Sequence, residues 1–93
     1  MGLIFEWDEK KAYTNFKKHS VTFEEASTVF GDWQAITIPD VLHSEEEERF
    51  IIVGKSEIHN ILVVVHVEKS DVIRIISARK ASKSEQKFYE EQS

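Results

Sequence analysis

Near its C-terminal end the chain reads Arg74-Ile75-Ile76-Ser77-Ala78-Arg79-Lys80, and Ala81-Ser82-Lys83-Ser84-Glu85 follows at once. Guanidinium groups are costly to hold beside an apolar core unless they meet an anion. This spacing therefore reads as a strand that carries cations toward a phosphate or a carboxylate, with Arg74 inside it and Arg79 and Lys80 at its exit. The competing reading of Arg74 is an internal ion pair with Glu48 or Glu68. Arg79 and Lys80 on their own read as a solvated basic turn.

Imidazoles supply the proton chemistry that such a site needs. His66 lies late in the apolar run Ile61 to Val67, where a structural core histidine competes with a base. Lys18-His19 closes a helical segment, where cations also stabilise the helix C-terminus by about 0.3–1 kcal/mol. The segment from His43 to Glu48 reads His-Ser-Glu-Glu-Glu-Glu. Together with Asp40 it has the oxygen composition of a weak Mg²⁺ site, although a glutamate run is usually a solvated face. Metalloprotease, zinc, P-loop and dinucleotide motifs are absent from the sequence. Ser82 reads as a helix cap, because Glu85 completes a capping box. Trp7 and Phe16 can stack on a base, with core packing as the stronger reading.

These residues must be positioned by one small domain of 93 residues. The absence of cysteine excludes disulfides and thiolate metal sites and fits a reducing cytoplasm. The N-terminus has no basic region followed by a long apolar stretch, so no leader and no membrane association are expected. The net charge of −5 argues against an indiscriminate nucleic-acid binder. Residues 1–19 and 61–82 nevertheless carry local positive excesses, so a cationic face can form if they meet.

The pattern predicts a first strand over 3–7 and a helix from the Asp8 cap to His19 with Ala12, Tyr13 and Phe16 inward. A second helix opens at the Thr22–Glu25 capping box and stops at a left-handed Gly31. Strands follow over 34–39, 49–55, 61–67 and 72–78, then a helix from Ser82. Phe50 and Ile52 alternate with Ile51 and Val53, which makes that strand interior to the sheet. Simple alternation puts Val72, Arg74, Ile76 and Ala78 on one face. Three strands joined by short turns predict an antiparallel meander. The fold class is α+β, a mainly antiparallel sheet packed by helices, in the order β-α-α-β-β-β-β-α.

The ordered set of segments resembles the BrnT family, toxins of bacterial type II toxin–antitoxin modules. The residues that carry the resemblance are Trp7-Asp8-Glu9 with Lys11, Asn15 and Lys18-His19; Val21, Phe23 to Ala26 and Val29-Phe30; and Asp40 through His43-Ser44 to Glu48-Arg49. They continue with Gly54, Val63 to His66, Glu68, Arg74 to Ala81, Glu85 and Tyr89. Departures are Ser20 where the family usually has glycine, Lys69 where arginine is common, and a 58–60 turn without a glycine–arginine pair.

The resemblance implies a RelE-like fold and a ribonuclease, with a BrnA-like ribbon-helix-helix antitoxin as partner. It also implies repression of the operon's own promoter by the complex, with DNA bound only through the antitoxin. On this reading Arg74 and Arg79 stabilise the phosphorane, His66 and His19 transfer protons, and Lys18, Arg49 and Lys80 hold the RNA backbone, with no metal or cofactor. The alternative is a partner-binding module of the same fold without catalysis.

Overall fold

The computed structural model describes residues 2–44 and 46–92. Its elements run β1 (Ile4–Glu6), α1 (Glu9–His19), α2 (Phe23–Thr28), β2 (Ile36–Pro39), β3 (Phe50–Lys55), β4 (Ile61–Lys69), β5 (Val72–Lys80) and α3 (Lys83–Gln92). Single 3₁₀ turns lie at Val29–Gly31 and Val41–His43. The expected element order holds. No described helix is long and apolar enough to cross a membrane.

The five strands form one sheet in the order β1-β5-β4-β3-β2. The meander β2 to β5 is antiparallel, and only β1 runs parallel to its neighbour β5. β3 is interior, as its two apolar faces require. One sheet face packs Ile52, Leu62, Val64, Ile73, Ile75 and Ala78 against Val21 and the α2 segment residues Phe23, Ala26 and Val29. The other face packs Val53 and Val63 against Ala81 and Tyr89, so α3 covers its β3–β4 part.

Local chemistry explains most helix ends. The Asp8 carboxylate accepts the N–H groups of Lys10 and Lys11 at the start of α1. Ser82 and Glu85 form a reciprocal capping box at α3. At α2 the box is only half made. Thr22 Oγ1 accepts the Glu25 N–H, but the Glu25 carboxylate instead receives Ser56 Oγ at 2.7 Å and Asn60 Nδ2 at 2.9 Å. That acid tethers the β3–β4 loop.

Two sequence expectations fail for identifiable reasons. The helical segment ends as a 3₁₀ turn and no glycine takes a positive φ, so Gly31 is not a left-handed stop. Ser20 takes that conformation at the end of α1, with φ 58°, and its N–H reaches Phe16 O. It thus fills a left-handed helix stop of the kind glycine commonly takes, at some steric cost. The inner face of α1 is also different: Tyr13 and Phe16 are 66% and 50% exposed, whereas Asn15 is only 7% exposed. α1 stands beside the sheet edge, where an amide that satisfies backbone groups is worth more than an aromatic ring.

Candidate nucleic-acid site

The edge of β5 shapes the site. β1 pairs only with Val72, Ile73 and Arg74, leaving the later part of β5 without a strand neighbour on that side. Asn15 takes the missing strand's place. Its Nδ2 donates to Ala78 O at 2.8 Å and to Val21 O at 3.1 Å, and its Oδ1 accepts the Ala78 N–H at 3.1 Å. These bonds fix α1 against the edge. Between them lies a groove of about 330 Å³ lined by Lys10, Lys11, Thr14, Asn15, Lys18, His19, Ile76 and Ser77. Three lysines and a half-buried imidazole thus share one wall, and such a groove suits a phosphate backbone.

A β-bulge decides where the arginines go. His66 pairs with Ile75 and Val65 with Ser77, so Ile76 is an extra residue in β5. Alternation restarts after it. Arg74, opposite Val67, and Arg79, opposite Val63, therefore share the α3 face, while Ile73, Ile75 and Ala78 point to the α1–α2 core. The simple-alternation face of Arg74, Ile76 and Ala78 is corrected accordingly.

Each arginine meets a carboxylate from its own chain. Arg79 makes a bidentate pair with Glu85, Nη1 to Oε1 at 2.7 Å and Nη2 to Oε2 at 2.8 Å. This contact raises the Arg79 pKa. The Arg79 hydrogen bond, reinforced by the Ser82 N–H, outweighs burial and brings the Glu85 carboxyl down to about 2. Arg74 Nη2 pairs with Glu47 Oε1 from the acidic loop. Its internal partner is thus neither Glu48 nor Glu68.

His66 is wholly buried. Its ring lies edge-on to Phe30 at 4.8 Å and near Phe50 at 6.1 Å, and Nε2 meets Glu68 Oε2 at 2.9 Å. Nδ1 has no hydrogen-bond partner among the described residues. By register His66 points to the α1–α2 side, opposite to Arg74, so the two do not converge.

The acidic loop closes at its neck. Asp40 N–H donates to Arg49 O, and Ser44 Oγ donates to Asp40 O and accepts the Arg49 N–H. A cavity of about 270 Å³ lies among His43, Glu46, Glu47 and Arg49. His43 Nδ1 contacts both Asp40 carboxylate oxygens, at 3.1 and 3.2 Å. Glu45 lies outside the described residues.

Residues 7–85 match the family model described as the ribonuclease toxin, BrnT, of type II toxin–antitoxin systems. The chain belongs to the BrnT family. A structural comparison finds the 1.1 Å crystal structure of the Brucella abortus ribonuclease toxin BrnT, with a TM-score of 0.64 and 26% identity. The match covers 89% of this chain and 99% of that chain. No curated protein sequence matches.

Of the site residues expected from the sequence, Lys18 and His19 enter the edge groove. Arg74 and Arg79 lie on the α3 face, Arg49 lines the loop cavity, Lys80 is exposed at the end of β5, and His66 is enclosed in the core. The sequence reading missed Lys10, Lys11 and Ser77 as groove residues. A signal existed: Lys11, Asn15 and Lys18 recur at i, i+4 and i+7, which is one stripe of a helix.

Proposed function

We propose that this protein is an endoribonuclease toxin that cleaves RNA without a metal. A BrnA-like ribbon-helix-helix antitoxin neutralises it in the cytoplasm, and the resulting complex represses its own promoter. The observation that carries this reading is the groove in which Lys10, Lys11, Lys18 and His19 stand together beside β5 on an otherwise acidic protein. The three lysines hold consecutive backbone phosphates there. The net charge of −5 supports promoter contact through the antitoxin instead of through this chain.

The reaction is attack of a ribose 2′-hydroxyl on the adjacent phosphorus. A base takes the 2′-hydroxyl proton as the O2′–P bond forms. The P–O5′ bond breaks, and O5′ receives a proton, giving a 2′,3′-cyclic phosphate and a 5′-hydroxyl. His19 is the imidazole in the groove and serves as a proton-transfer group, a role worth about 10²–10⁴-fold. Lys18, with Arg74 and Arg79 where the RNA crosses to the α3 face, offsets the charge that develops on the phosphorane. Arg49 and Lys80 extend the contact to flanking phosphates.

Purified protein is incubated with RNA with and without EDTA, beside Lys18→Ala and His19→Ala variants. Cleavage that survives EDTA and falls at least 100-fold in His19→Ala is expected. Cleavage lost in EDTA relocates the chemistry to the acidic loop, and unchanged cleavage by a Lys18→Ala, His19→Ala double variant removes this site.

A second reading has a specific observation in its favour: Arg74 and Arg79 are both occupied by Glu47 and Glu85. On that reading the chain is a catalytically inactive module that binds the antitoxin. Tight antitoxin binding by a protein that leaves RNA intact and causes no growth arrest selects it.

A further inference from the structure

We propose that Glu47 is a built-in competitor for RNA: its carboxylate occupies the phosphate position on Arg74 and is exchanged for a backbone phosphate when RNA binds. This inference rests on the ribonuclease reading above and adds a regulatory residue to it.

Glu47 and Glu85 differ in how their carboxylates are held. Glu85 is bound into its helix: it closes the α3 capping box, accepts both Arg79 nitrogens, and titrates near 2. Removing it from Arg79 undoes a helix start. Glu47 belongs to no helix or strand, and its contact with Arg74 is a single ion pair, as exposed as the Arg79–Glu85 pair but without that pair's second hydrogen bond and helix cap. Exposed pairs of this kind are weak and readily exchanged, because water replaces each partner at little cost. The loop that carries Glu47 is nevertheless anchored. Asp40, Ser44 and Arg49 clamp its neck, so the carboxylate is presented to Arg74 without ordering a long segment.

Phosphate is a better partner than carboxylate for a guanidinium that lies along a strand-binding surface, because the RNA brings several phosphates at once. Arg74 and Ser77 share a face, and Ser77 lines the cationic groove. A strand held by Lys10, Lys11 and Lys18 thus passes the Arg74 side of β5. Displaced Glu47 then repels the RNA that has taken its place. The cost of that exchange lowers RNA affinity in the free toxin.

The test uses a 2′-O-methyl RNA oligonucleotide, which binds but cannot be cleaved, and measures affinity for full-length wild type, Glu47→Gln, Glu48→Gln and Arg74→Ala, alone and combined. Glu48 is an exposed loop acid next to Glu47, and it is Glu47 that pairs with Arg74, so Glu48→Gln reports the effect of net charge alone. Glu47→Gln is expected to tighten binding about fivefold, Glu48→Gln less than twofold, and the excess is expected to vanish in the Arg74→Ala background. Equal gains from the two glutamine variants, or a Glu47→Gln gain that persists without Arg74, overturns the competitor role. Cleavage of unmodified RNA by the wild type is scored separately. A toxin that cleaves RNA but shows no Glu47-specific gain loses this inference alone, whereas absence of cleavage with a Glu47-specific gain loses only the catalytic reading.

Discussion

The side-chain amide of Asn15 holds both backbone polar groups of Ala78, 63 positions away in the chain. It is a one-residue substitute for a sixth strand, and it sets the distance between α1 and β5 that makes the groove. Replacing it by alanine leaves the Ala78 N–H and C=O and the Val21 C=O without those partners. Asn15→Ala is expected to destabilise the fold by about 2–3 kcal/mol, since each buried group left unpaired costs about 1–3 kcal/mol. Urea unfolding at pH 7 measures it. Loss of under about 0.5 kcal/mol would show that water substitutes freely at this edge.

The Arg79–Glu85 pair makes stability depend on pH with a defined sign. Glu85 titrates at about 2 in the folded protein, against 4.5 ordinarily. Its contribution is therefore complete above the unfolded value and disappears as pH falls through the folded one. Both side chains are partly exposed, so screening reduces the contribution to about 1 kcal/mol. Wild type is expected to exceed Glu85→Gln in stability at pH 7, and the gap should close between about pH 5 and pH 2. A gap that stays constant over that range would assign the difference to the helix cap and not to the charge.

Gly54 in β3 is required by space and not by backbone angle, because its φ is not positive. A Cβ there would lie 2.7 Å from Ala35 Cβ and 2.8 Å from Val29 Cγ1. The Val29–Gly31 turn and the chain entering β2 both close on this point. Overpacking of this kind costs about 1–3 kcal/mol, so Gly54→Ala is expected to lower Tm by about 4–8 °C for each kcal/mol lost. Calorimetry checks it, and an unchanged Tm would mean that the Val29 turn retreats without cost.

His66 provides a test of where proton transfer takes place. It is enclosed by Phe30 and Phe50, and its Nε2 meets the exposed Glu68 carboxylate. His66→Leu fills the same space and removes an imidazole whose Nδ1 makes no bond among the described residues. Stability is expected to change by less than about 1 kcal/mol, and cleavage to stay within about threefold of wild type. A folded His66→Leu protein with cleavage reduced at least 100-fold would return the proton transfer to His66 and require a path to it through the core.

The sequence by itself determined what near neighbours enforce. Asp8 and the Ser82–Glu85 pair cap helices because a side-chain oxygen reaches an N–H two or three residues away. Alternating apolar residues made β3 interior, and short turns made the meander antiparallel. The ordered motifs were sufficient to mark the BrnT family. Lys18 and His19, singled out at the end of the first helical segment, both line the edge groove.

Tertiary structure decided the remainder. The Thr22–Glu25 motif promised a closed box, yet Glu25 bonds Ser56 and Asn60, which only the folded chain brings near. Tyr13 and Phe16 promised an inward aromatic face, yet the open edge of β5 rewards the hydrogen bonds of Asn15. Above all, one unpaired residue, Ile76, reverses the alternation of β5 and puts Arg74 and Arg79 on a common face away from His66. A bulge is a mismatch of register between two strands, so neither strand's own sequence specifies it. Which carboxylate reaches each arginine follows from that reversal.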